Sequence, residues 1–187
     1  LKLAEIENQK GISATYFIML RSEFYNVLER DIKECVNKII SLGHEIGLHF
    51  DISYYSNNIS VSNLKDVLSY EANILEKEFS IKINSFSFHN TSDLTKTFTE
   101  EYYGNLLNVY SSKIQNKYSY CSDSNGYWRF DRLKDMLKKD DIDYLHILTH
   151  PVWWVAEPLL PRDRVERAIN GRAKRSAEIY DGLLQKF

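Results

Sequence analysis

The stretch GHEIGLHFD, residues 43–51, sets two histidines, a glutamate and an aspartate among residues that otherwise read as a buried strand. An imidazole at a strand end is a natural nitrogen ligand for zinc or another divalent ion. His49, which follows the apolar Ile46 and Leu48, is therefore either a metal ligand or a half-buried, hydrogen-bonded structural histidine. Asp51, two residues on, offers a carboxylate as a ligand, as a partner fixing the imidazole tautomer, or as the opening residue of a turn. His44 stands at the opposite end of the strand and reads as structural. Three more positions have the same double character. His89 closes NSFSFH, as a ligand or as a sheet-end histidine. Asp123 lies in YCSDSNGYW, whose Ser, Asp, Asn and Gly are also what a turn requires, and Trp128 after it walls a pocket or fills core. His150 is followed by Pro151 and then by Trp153 and Trp154, a pair that lines a sugar-binding cleft or simply packs.

Alternating strands and helices must position these residues. LKLAEIENQKG reads as a helix already under way at Leu1, stopped by Lys10 and Gly11; residues upstream are expected. ISATYFIML (Ile12 to Leu20) is rich in β-branched and aromatic residues and predicts a strand. LERDIKECVNKIISLG places Leu28, Ile32, Cys35, Val36, Ile39 and Ile40 on one helical face, with Gly43 closing it before HEIGLHF. LKDVLSYEANILEKEF (Leu64 to Phe79) is a second amphipathic helix capped by Ser62, and NSFSFH is the next strand. Asn90 to Gly104 reads as loop or irregular helix. LLNVYS, KYSYCSD and DYLHILTH read as strands and RLKDMLKKD as a helix. The last segment, from Pro161, is a closing helix with Val165, Ala168, Ile169, Ile179 and Leu183 toward the core. This alternation predicts a single α/β domain over residues 1–187 with parallel strands, as an open sheet or a barrel. In such folds the carboxyl ends of the strands form the site. His49, His89, Asp123 and His150 each fall at or just past a predicted strand end, so four strands would present polar groups at one mouth.

The remaining features mostly exclude. The chain is 43% hydrophobic and 27% charged with a formal net charge of -2, which gives no bias toward nucleic acid or an anionic membrane. No apolar run approaches the ~18 residues that span a bilayer. Cys35 and Cys121 lack metal-knuckle spacing and fit a reducing compartment, so a cytoplasmic location is expected. The arginines and Lys174 between residues 162 and 175 interleave with acids and read as a solvated helix face rather than a phosphate site. No glycine-rich phosphate loop, GxSxG elbow or HExxH helix is present.

Taken in order, KGISATYFIM, LGHEIGLHFD, SFSFHN, YCSDSNGYW and LTHPVWW resemble the polysaccharide deacetylases of carbohydrate esterase family four. They are closer still to a divergent deacetylase-like group linked to surface-polysaccharide biosynthesis. The likeness runs from about residue 1 to residue 155. It implies a distorted (β/α) barrel, here lacking its first strand, and a divalent metal, usually zinc, held by one aspartate and two histidines. His49 matches the family's first ligand histidine and His150 the catalytic histidine of its Leu-x-His motif. Asp123 and Trp128 fall near the motif that orients that histidine and walls the cleft. The chain departs from the pattern in three ways. Ser53 stands where the second ligand histidine belongs, so Asp51 or His89 must substitute, with His89 the better placed. HNTS replaces the arginine-proline motif, and the strand with the paired aspartates would precede Leu1.

The resulting expectation is a metal-dependent hydrolase that removes an acyl group, acetyl by the resemblance, from a sugar or polysaccharide precursor. His150 is its acid, Asp123 orients that acid, and His49, His89 or Asp51 hold the ion. Trp128, Trp153 and Trp154 are expected to line the cleft. Two alternatives remain open: a non-catalytic barrel that binds glycan or an assembly partner, and an amidohydrolase acting on a non-sugar amide.

Overall fold

A computed structural model of the chain describes residues 1–55, 59–128 and 130–185. The fold is mixed α/β, and it divides into two compact units, Leu1–Ser119 and Tyr120–Phe187.

The first unit is built on a five-stranded sheet. Its strands are β1 (Thr15–Ile18), β2 (Glu45–Phe50), β3 (Ser85–Phe88), β4 (Tyr102–Tyr103) and β5 (Leu106–Asn108), in the order β1-β2-β3-β5-β4. Neighbours from β1 through β5 run parallel, and only β4 is antiparallel, against β5. Helix α1 (Lys2–Gln9) precedes β1, α2 (Arg30–Ser41) links β1 to β2, and α3 (Val61–Phe79) links β2 to β3. A parallel pair needs such crossovers. Leu48, Phe50, Phe86, Leu64, Leu68 and Leu75 are fully buried and form the centre of the core. Each such side chain contributes about 1.5–3 kcal/mol by leaving water.

Local sequence explains most element ends. Gly43 adopts a φ of +83° directly after α2, as its position as a helix stop predicts. Helix α3 begins a turn earlier than its apolar periodicity suggests. Ser60 is the extended N-cap, its N–H donating to Asn63 Oδ1 at 2.7 Å, and Ser62 lies inside the first turn. Leu28 is half exposed and precedes α2, because the chain turns helical only at Arg30. The segment from Asn90 to Gly104, expected as loop or irregular helix, contains a 3-10 turn at Thr95–Thr97 and also β4, too short to show a period.

The second unit carries a two-stranded sheet of β6 (Ser119–Ser122) and β7 (Leu145–Leu148). Ahead of β6, α4 (Ser112–Lys117) takes up the start of the expected KYSYCSD strand. A single turn, α5 (Leu133–Met136), is all that forms of the helix expected over RLKDMLKKD. The closing helix α6 (Pro161–Leu184) corrects two expectations. Val165, Ala168, Ile169, Ile179 and Leu183 are exposed rather than in the core. Arg164, expected on a solvated face, is buried, because its guanidinium donates to the carbonyls of Leu159, Val152 and Glu157 and thereby ties the helix start to the preceding loop. No helix among the described residues is long and apolar enough to cross a membrane.

Candidate functional site

His49 is the penultimate residue of β2 and pairs directly with Ser87 of β3. Alternation sends Ile46, Leu48 and Phe50 into the core and turns Gly47 and His49 to the other face. A side chain at Gly47 would overlap the ring of Phe17, its partner on β1, coming within 2.6 Å of Cδ1. The glycine in GHEIG is therefore a packing requirement of the strand that presents His49. His89 follows β3 directly, and its N–H donates to Phe50 O at 2.8 Å, which fixes the backbone of both strand ends.

The two imidazoles meet. His89 Nδ1 lies 3.3 Å from His49 Nε2, with the rings nearly perpendicular, and His49 Nδ1 lies 2.7 Å from Ser87 Oγ. A tetrahedral zinc with Zn–N bonds of about 2.0–2.1 Å separates two ligating nitrogens by about 3.3–3.4 Å. The observed spacing fits one edge of that polyhedron as well as it fits an imidazole–imidazole hydrogen bond. Ligation through His49 Nε2 requires the proton on Nδ1, which would then donate to the buried Ser87 hydroxyl, the outer contact that orients metal-binding histidines. His49 and His89 are thus the residues that could hold an ion. No cluster of three His, Cys, Asp or Glu side chains is close enough to do so among the described residues.

Asp51 takes the turn role that its sequence context offers. Its Oδ1 accepts the Ser53 N–H at 3.0 Å and the Ser53 hydroxyl at 2.6 Å, which opens the 3-10 turn Ile52–Tyr55. This turn borders a cleft of about 370 Å³ lined by Asp51, Ile52, Ser53, Ile59, Asn90, Ser92 and Leu94. His44 is structural: the buried ring accepts the Ala14 N–H at Nδ1 and donates from Nε2 to Ala4 O, just ahead of β2.

In the second unit Asp123 and His150 form a dyad. Asp123 is 3% exposed; its Oδ1 accepts from His150 Nδ1 at 2.7 Å and from the His150 N–H at 2.9 Å. Oδ2 accepts the Trp154 indole N–H, also at 2.7 Å. With Nδ1 bound to the carboxylate, Nε2 is the nitrogen left for proton transfer, and the His150 side chain is 39% exposed. The turn expected around Asp123 forms as well, with Gly126 N–H donating to Asp123 O and Asn125 at a φ of +59°. Backbone and side chain of Asp123 serve different ends.

Of the three tryptophans, Trp154 joins the dyad through its nitrogen while its ring stays half exposed. Trp153 packs beneath Gly126 and beside the Arg164 guanidinium, and its buried Nε1 has no hydrogen-bond partner among the described residues. Trp128 is half-buried and makes no hydrogen bond to the dyad.

Sequence reasoning passed over a buried polar group at the same end of the sheet as His49. Glu71 of α3 is 2% exposed; its Oε1 accepts from Arg21 Nε at 2.9 Å and from the Tyr55 hydroxyl at 2.5 Å. Burial is the largest influence and pushes the Glu71 carboxyl above its ordinary range, Tyr55 and Arg21 pull it back, and nearby Asp51 adds to the rise. An acid within the Leu64, Leu68, Ala72, Leu75 apolar face was the available signal. Ser87 was signalled by its alternation with Phe86 and Phe88.

No family model matches this chain, and none of the curated proteins does.

Proposed function

We propose that the chain is a divergent deacetylase-type hydrolase acting on an acylated sugar or polysaccharide precursor, with one divalent ion, zinc in the first instance. The convergence of His49 Nε2 and His89 Nδ1 at 3.3 Å carries this reading, because it supplies the second histidine that Ser53 fails to provide. The ion would polarise the acyl carbonyl and make a water acidic enough to be deprotonated near neutral pH. His49 and His89 would hold it, with Ser87 orienting the His49 ring. Within the second unit, Asp123, fixed by Trp154, would hold the His150 imidazole with Nε2 available for proton transfer, the acid role that the resemblance gives to this histidine. The parallel order β1-β2-β3-β5 is compatible with the distorted barrel of that family, which belongs to this proposal, as does a cytoplasmic location.

The test is metal stoichiometry by elemental analysis, paired with acetate release from acetylated amino sugars. The expected result is about one zinc per chain, lost in both His49→Ala and His89→Ala. His150→Ala should keep the metal and lose at least about 100-fold in turnover, as removal of a general acid does. No metal uptake from supplied zinc, or full turnover in His150→Ala, would overturn the assignment. A second reading, a glycan-binding module without catalysis, is favoured by one observation: the described residues bring two donors together, not three. It predicts glycan binding that survives chelation and no acyl release.

A further inference from the structure

The 3-10 turn that leaves β2 after His49 and Asp51 carries Tyr54, an aromatic residue 56% exposed to solvent. One face of this ring lies under the Arg21 guanidinium, 4.2 Å from Cζ to the ring centroid, and Tyr55 packs against it edge to face at 5.2 Å. Arg21 is itself held. Its Nε donates to Glu71 Oε1 at 2.9 Å and to the Tyr55 hydroxyl at 3.1 Å, while that hydroxyl donates to the same carboxylate oxygen. As a device for stability this is weak, since desolvating a buried ion pair costs about what the attraction returns. Its mechanical result is specific: a solvent-facing aromatic ring is braced from behind, and a ring already held loses less freedom when a ligand covers it.

We propose that the outer face of Tyr54 is a stacking platform for a saccharide ring bound beside the His49–His89 pair. The surface is flat and apolar, and the adjoining cleft sets Ser53, Asn90, Ser92 and Asp51 around the aliphatic Ile52, Ile59 and Leu94. A pyranose has the matching build, one face of C–H groups and a rim of hydroxyls, whereas an acyl chain would match only the three aliphatic side chains of that lining. Tyr54 is the binding residue in this scheme; Arg21, Tyr55 and Glu71 are positioning residues. The inference rests on the carbohydrate reading above and specifies where in the chain the sugar is held.

The whole chain, kept in chelator so that binding is scored apart from hydrolysis, is applied to an array of pyranose-containing glycans, and the bound saccharides are titrated by calorimetry. Tyr54→Ala and Tyr54→Leu should each weaken binding about tenfold or more, equivalent to ~1.4 kcal/mol. Tyr54→Trp should retain it. Arg21→Gln should weaken the same saccharides, and Arg21→Lys should restore part of the loss by returning a cation behind the ring. Wild-type affinity in both Tyr54→Ala and Tyr54→Leu, or no glycan bound by the wild type, would overturn the platform. Acyl release is assayed separately, with the metal restored. Turnover with an unaltered KM in Tyr54→Ala would remove the platform and leave the hydrolase standing; Tyr54-dependent binding without turnover would do the reverse.

Discussion

Single residues act here through partners distant in the chain. Asp123 accepts three donors from two residues, and each has a distinct consequence: the His150 N–H sets the backbone, Nδ1 sets the ring, and the Trp154 indole N–H satisfies the second oxygen. Among the described residues, removing the indole donor leaves Oδ2 with only the longer 3.2 Å contact from the His150 N–H. A hydrogen bond to a buried carboxylate contributes about 1.5–3 kcal/mol. Trp154→Phe should therefore lower stability to urea by about that amount, and Asp123→Asn, which surrenders the charge to all three donors, should lower it further. Equal midpoints for Trp154→Phe and wild type would show that the indole contact is idle in solution. Residue types alone left Asp123 open between turn and dyad, and the structure shows it doing both. Asp51, by contrast, has its Oδ1 committed to the turn.

At the level of elements, the strand that presents His49 depends on a close pass between β1 and β2. Phe17 occupies the space where any side chain at position 47 would go. Gly47→Ala should cost about 1–3 kcal/mol as overpacking, and Phe17→Ala in the same chain should recover part of the loss through the coupling of the two sites. Strict additivity in that double-mutant cycle, read from urea unfolding, would mean the ring has another place to go. Helix α3 was legible because its apolar period is long, and strands β2 and β3 because apolar residues alternate along them. Strand β4 and the short α4 were not, since neither has an apolar alternation or a full helical period, and α5 was expected as a longer helix than the single turn that forms. The exposed apolar side chains of α6 were misread for another reason. Periodicity reports which residues share a face, and only the surrounding fold decides what that face meets.

Across the whole molecule, ionisable groups that lose contact with water on folding couple stability to pH, and two of them act in opposite directions. Burial lowers the His146 pKa below its ordinary value, so as pH falls through ~6.5 the unfolded chain takes up a proton before the folded chain does. The stability contributed by neutral His146 is complete above that value and is lost as pH drops toward the depressed folded pKa. Glu71, whose pKa is raised, contributes stability below the ordinary carboxylate range and loses it as pH rises. The urea midpoint of the wild type should therefore fall more steeply between pH 7 and pH 5 than that of His146→Gln; parallel slopes would assign the dependence to other groups. What residue order determined by itself is an α/β chain with parallel core strands and imidazoles at strand ends, because these depend on local period and on residue type. Tertiary structure alone decided which of those groups meet. His49 and His89 lie 40 positions apart, Asp123 and His150 27, and Arg21 and Glu71 50. Contacts over such separations are set by strand register and crossover packing, neither of which any local stretch of sequence contains.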